Sequence, residues 1–139
     1  MRLHRDKKVE LLSRVPLFAD CSKKELRQVA SIADEIDFRP GKTLTRQGAP
    51  GREFFVLLEG TVDVVRDGKK ISELGAGEFF GELALVSNIP RTATVTATSP
   101  IRALVVVDRD FRRLLKDDVS VAVKVLATMA ERMPPADTH

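Results

Sequence analysis

The residue types able to do chemistry concentrate in one stretch, residues 77–95, GEFFGELALVSNIPRTATV. Glycines lead into a short potential helix over residues 82–86, and a loop then carries the chain to Arg91. A glycine-led helix start leaves backbone N–H groups free to face an anion. The arginine adds a planar fork that matches phosphate oxygens. Glu82 stands in the first turn, where a carboxylate can accept hydrogen bonds from sugar hydroxyls. Donors, one guanidinium and one carboxylate within eleven residues suit a phosphorylated sugar. Taken singly, Arg91 reads as a surface charge and Glu82 as a carboxylate answering the helix dipole; only their grouping points to a ligand.

No catalytic set accompanies this stretch. The two histidines, His4 and His139, lie at the ends of the chain, which argues against a histidine triad or an internal metal cluster. Cys21 has no base nearby in sequence, and there is neither a Gly-x-Ser-x-Gly elbow nor a phosphate-loop lysine. Gly75-Ala76-Gly77 begins like a dinucleotide fingerprint, but the third glycine it requires is Phe80. The expectation is a binding protein without metal or cofactor, and not an enzyme.

The elements that must position these residues follow from patterning. Residues 7–14 carry a short helical pattern stopped by Pro16, and Ser22 with Glu25 forms a capping box opening a helix over residues 23–33. From residue 34 short apolar stretches alternate with glycine-rich turns, predicting strands over 35–39, 43–46, 54–59, 61–66, 70–74, 92–98 and 102–107. Asp67-Gly68 suits a tight hairpin. Asp108 is the expected N-cap of a helix over 109–116. Asp117 or Asp118 caps a last helix reaching about Met133, where Pro134-Pro135 stops it. The fold class is α+β, mainly β: a roughly eight-stranded antiparallel β-roll, a jelly-roll-like barrel, with N-terminal helices and two C-terminal helices. The chain reads as one domain over residues 1–139: helices to 33, the roll over 34–107, helices over 108–133 and a tail over 134–139.

Whole-chain numbers set outer limits. Lys and Arg total 23 against 20 Asp and Glu, a net charge of +3 with interspersed signs. The one basic cluster, Arg2, Arg5, Lys7 and Lys8, reads as a solvated face, so nucleic-acid binding is not expected. The longest purely apolar runs, residues 54–58 and 103–107, are too short for a membrane span. A charged N-terminus and a single cysteine place the chain in the cytoplasm by default.

The stretch from Phe80 resembles the phosphate-binding cassette of cyclic-nucleotide-binding domains: FGELAL, then VSNI, then PRTA from Pro90, with the cassette spanning residues 80–93. A second signature of that family stands upstream at residues 48–60, GAPGREFFVLLEG. Val15-Pro16-Leu17-Phe18 followed by Glu25-Leu26 resembles the start of such domains. The resemblance implies that Arg91 pairs with the cyclic phosphate and Glu82 holds the ribose 2′-hydroxyl. It also implies that amides around Gly81, Glu82, Leu83, Ala84, Thr92 and Ala93 complete the cradle. Val62, Val64 and Leu74 would flank the base, and Leu126 or Met129 would reach it from the last helix as a lid. Ala122, Leu126, Met129 and Met133 lie along one stripe of that helix, which packs on the roll or on a second copy in a homodimer. The implied function is a bacterial, cytoplasmic sensor that binds a cyclic nucleotide, cAMP ahead of cGMP, and signals to a protein partner or fused effector. The alternatives are a fragment of a larger protein such as a transcription factor, and a degenerate roll that binds no nucleotide.

Overall fold

The computed structural model describes residues 3–132. Two helices, α1 (Arg5–Ser13) and α2 (Lys23–Ser31), flank a 3₁₀ turn at Pro16–Phe18. The capping box at Ser22 is present: its hydroxyl accepts from Glu25 N–H at 3.2 Å, and the Glu25 carboxylate accepts from Ser22 N–H at 2.7 Å. Eight strands follow: β1 (Ala33–Phe38), β2 (Thr43–Thr45), β3 (Glu53–Glu59), β4 (Val62–Arg66), β5 (Lys69–Leu74), β6 (Phe79–Phe80), β7 (Thr94–Ala97) and β8 (Ile101–Val107). Two helices close the described chain, α3 (Asp108–Asp117) and α4 (Val119–Arg132).

The strands form two antiparallel four-stranded sheets, ordered β1-β8-β3-β6 and β2-β7-β4-β5. The sheets do not close into a barrel, which corrects the barrel part of the expectation. Pairing ends at β1 and the two-residue β6 on one sheet, and at β2 and β5 on the other. The roll itself stands. The hairpin expected at Asp67-Gly68 joins β4 to β5, both residues having positive φ (53° and 77°), as a type I′ turn requires.

Two cores explain the unbroken apolar runs of β3 and β8. Phe54, Val56, Leu104 and Val106 face the helices, where they join Leu12, Phe18, Val29 and Phe111. Phe55, Leu57, Ala103 and Val105 face the second sheet, where they meet Val62, Val95 and Ala97. A strand buried on both faces has no polar alternation to show. The β1-β8-β3-β6 sheet is thus the middle of three layers, between helices and the other sheet.

The helix ends differ in detail from the patterning. Asp108 is the first residue of α3 rather than its cap; Val107 holds the cap position without a side-chain bond. Asp118 does cap α4, accepting from Ser120 N–H at 3.1 Å. The buried line of α4 is Val121, Val125 and Thr128, not the stripe through Leu126. Ala122 and Met129 are half-buried, and Met133 with the tail lies outside the described residues.

Candidate functional site

The cassette occupies the gap between β5 and β7. Gly81 turns the chain with φ +84° into a 3₁₀ turn, Glu82–Leu85, in place of the short α-helix expected there. Ala84 N–H closes that turn onto the Gly81 carbonyl at 3.1 Å, so Ala84's amide is already engaged. The loop returns to Arg91, whose backbone is clasped on both sides. Its N–H donates to the Ala49 carbonyl, and its carbonyl accepts from Gly48 N–H, each at 2.8 Å. The glycine-rich 48–51 segment therefore holds the arginine in register, a role that spacing alone does not reveal.

The Arg91 side chain is only 8% exposed. It donates to the Glu53 carbonyl at 2.6 Å and stands 3.9 Å from the Glu53 carboxylate. Two glycines leave it room. A Cβ on Gly51 would meet its Cδ and Nε at 3.1 Å, and one on Gly81 would meet its terminal nitrogen at 2.6 Å. Burial pulls the guanidinium pKa below its ordinary value, partly offset by Glu53 and Asp108. A desolvated cation with one short hydrogen bond and one distant carboxylate keeps unfilled donors, which is the electrostatic condition for taking an anion.

Two cavities meet at Gly81, Arg91 and Thr92. One, about 250 Å³, is lined also by Glu82, Leu83, Ala84, Ile89 and Pro90. The other, about 240 Å³, is lined by β-roll residues including Val64, Arg66, Leu74, Phe80 and Ala93. The first carries the Glu82 carboxylate, and the second is lined by the apolar side chains of Val64, Leu74, Phe80 and Val95. Larger hollows lie between α1 and α2 and beside Glu35, about 500 and 490 Å³, but neither gathers a buried cation with facing glycines.

Of the residues singled out from sequence, Gly81, Glu82, Leu83, Ala84, Arg91, Thr92, Ala93, Val64 and Leu74 line these two cavities. Val62 lines neither; it points into the core between the sheets and is fully buried there. Position along the strand explains this: Val62 and Val64 share a face, and only Val64 lies far enough along β4 to line the cavity that holds Arg91. Leu126 and Met129 line neither cavity: Leu126 is 65% exposed, and Met129 packs against the helix-side core. Glu82 is half-buried, and its Oε2 accepts from Leu17 N–H at 3.2 Å. Burial raises its pKa, against the lowering effect of that bond.

Arg66, at the end of β4, is a site residue missed from sequence. Its Nε donates to the Thr92 carbonyl at 2.9 Å, and its terminal nitrogen reaches the Thr92 hydroxyl at 3.5 Å. Next to it, Gln47 and Asp67 exchange two hydrogen bonds at 2.8 and 2.9 Å, tying the hairpin tip to the 48–51 segment. Cys21 is half-buried, and its thiol is pushed up to about 11, chiefly by burial.

Comparison with known proteins agrees with this fold. The family model for the cyclic nucleotide-binding domain matches residues 35–118. The fold is similar to the N-terminal domain of a transcriptional regulator from Streptomyces coelicolor A3(2), with 32% identity, TM-score 0.78, and coverage of 88% of this chain and 91% of that one. It is also similar to a cyclic nucleotide-binding-like protein from Brucella abortus bv. 1 str. 9-941, with 26% identity, TM-score 0.73, and coverage of 80% and 99%.

Proposed function

The chain belongs to the cyclic nucleotide-binding domain family, and from that premise we propose that it is a sensor that captures a 3′,5′-cyclic nucleotide, cAMP ahead of cGMP, and reports occupancy through α4. The observation that carries this reading is the buried Arg91 guanidinium, seated between Gly51 and Gly81 where the two cavities meet. A cyclic phosphodiester is a compact monoanion, matched in charge to one arginine. Glu82 takes the ribose on the polar side, and the base lies along Val64 and Leu74. Arg66 donates to the Thr92 carbonyl at 2.9 Å and reaches the Thr92 hydroxyl at 3.5 Å, so one acceptor site of the hydroxyl nearest the base is already approached by a donor. The site binds and does not turn over.

The Streptomyces neighbour is one part of a transcriptional regulator. That supports a sensor whose output belongs to a fused effector or a protein partner. Among the described residues no helix is long and apolar enough to cross a membrane, in keeping with a cytoplasmic sensor. The exposed apolar face of α4 is taken by a second copy of the chain.

Calorimetric titration with cAMP, cGMP and AMP tests the reading. Saturable cAMP binding is expected, weaker cGMP binding, and far weaker AMP binding, because AMP brings a dianion and an open ribose geometry. Equal affinity for AMP and cAMP overturns it.

A further inference from the structure

The carboxylate assigned to the ribose already has a partner. Glu82 Oε2 accepts a hydrogen bond from Leu17 N–H at 3.2 Å, across 65 residues of chain. That amide lies in the 3₁₀ turn at Pro16–Phe18, whose first N–H groups have no acceptor within the turn. Phe18 N–H reaches back to the Val15 carbonyl at 2.9 Å, whereas the acceptor for Leu17 N–H is the Glu82 carboxylate. Leu17 is itself buried, so water is kept from its backbone. Glu82 thus acts as a remote cap for a helix start that carries no side-chain cap of its own.

The turn is also where α4 is anchored. Phe18 packs edge-on against Phe54 (6.2 Å between ring centroids) and against Phe111 of α3 (5.8 Å). α4 lies across the turn, and the buried Thr128 hydroxyl donates to the Asp20 carboxylate at 2.9 Å, just past it. Glu82 therefore faces two ways: it lines the cavity that ends at Arg91, and it holds the segment on which α4 rests.

We propose that Glu82 is a two-position latch whose carboxylate holds the Leu17 amide when the site is empty and is drawn away by the ribose 2′-hydroxyl of a bound nucleotide. Release of that amide loosens the Pro16–Phe18 turn and, through Thr128 and the Phe18 packing, the seat of α4. The latch rests on the cyclic-nucleotide reading and adds to it a ligand rule. Phosphate capture by Arg91 and signalling by Glu82 are separable, and the 2′-hydroxyl is the group that joins them. A nucleotide lacking it occupies the site and leaves the turn closed.

Residue-resolved amide hydrogen exchange tests this on the full chain, without ligand and saturated with cAMP or 2′-deoxy-cAMP. Occupancy is read in the same samples from shifts at Thr92 and Ala93. cAMP is expected to speed exchange at Leu17 by about tenfold, the loss of one ordinary hydrogen bond, while 2′-deoxy-cAMP shifts Thr92 and leaves Leu17 protected. Glu82→Ala should show fast Leu17 exchange with no ligand at all. If that variant fails to fold, Glu82→Gln, which keeps an acceptor, should protect Leu17 without ligand. Occupancy by cAMP with unchanged Leu17 exchange, or equal effects of the two nucleotides, overturns the latch alone. No shift at Thr92 with either nucleotide overturns the cyclic-nucleotide reading and the latch with it.

Discussion

Arg91 is buried against a backbone carbonyl and a carboxylate 3.9 Å away, so the folded chain bears a desolvation cost that only an incoming anion offsets in full. Arg91→Ala should therefore split two quantities that usually move together. Ligand binding should fall by about 2–5 kcal/mol, the loss expected for one partner of a buried charge pair. Folding stability should change by no more than about 1 kcal/mol, because a costly buried charge leaves along with its packing. Calorimetry and urea denaturation on the same preparation check both; unchanged affinity in folded protein would refute the phosphate role. Glu82 makes a prediction in pH. Its folded pKa lies above its ordinary 4.5, so between those two values the folded chain holds more of this proton than the unfolded chain does. Its contribution to stability is then complete below the ordinary value and is lost as pH rises through the raised one. Glu82→Gln removes the titration while keeping an acceptor for Leu17 N–H. Wild-type stability minus Glu82→Gln stability, from urea midpoints, should slope downward with pH from about 4.5; a flat or rising difference would contradict the burial of this carboxyl.

Among the turns, two glycines with similar dihedrals separate conformation from space. Gly68 (φ +77°) has open space where a Cβ would go, so Gly68→Ala should cost about 1–2 kcal/mol, the strain of a left-handed L-residue. Gly60 (φ +95°) would drive its Cβ into the Pro100 carbonyl and within 2.8 Å of Ser99 Oγ, so Gly60→Ala should cost about 3 kcal/mol or more. Equal urea midpoints for the two variants would mean that the 60–62 corner yields where the structure holds it rigid. The same contrast marks what was legible in sequence. Strand positions were readable because glycines and alternating valines announce them, and seven of the eight strands overlap their expected positions. β6 was not readable, because two phenylalanines inside the cassette pair with Phe55 and Val56 through contacts no local pattern encodes. At the site, Arg91 and Glu82 stood out through their grouping in one glycine-led stretch and through its resemblance to the cassette. The partners that define their state did not: Glu53 lies 38 residues from Arg91, and Leu17 lies 65 from Glu82. Arg66 was placed only as the end of the 61–66 strand, and the fold brings it onto Thr92. The face of α4 was misread because VSVAVKVLATMA is apolar on nearly every side, so periodicity barely distinguishes inside from outside.

At the scale of the molecule, that ambiguity becomes a feature of α4. One line, Val121, Val125 and Thr128, is buried against the rest of the chain. A second, Val119, Val123 and Leu126, is 55–67% exposed. Ala130, also exposed, continues the second line at spacings of four, three and four, the repeat of a two-helix seam. A lid over the base needs only one or two apolar residues near its tip, whereas a continuous stripe of this period fits another helix along its length. Pairing α4 with α4 of a second copy would place the seam on the face opposite Val121 and Val125. A change in how α4 sits on the Pro16–Phe18 turn would then alter the dimer geometry. Sedimentation velocity over a concentration series should show self-association of the wild-type chain. Val123→Glu with Leu126→Glu should hold it monomeric, shift folding stability by no more than about 0.5 kcal/mol as exposed substitutions do, and leave cAMP affinity in place. A wild-type chain that stays monomeric throughout, together with a double variant that loses cAMP affinity, would instead make the stripe a lid over the base.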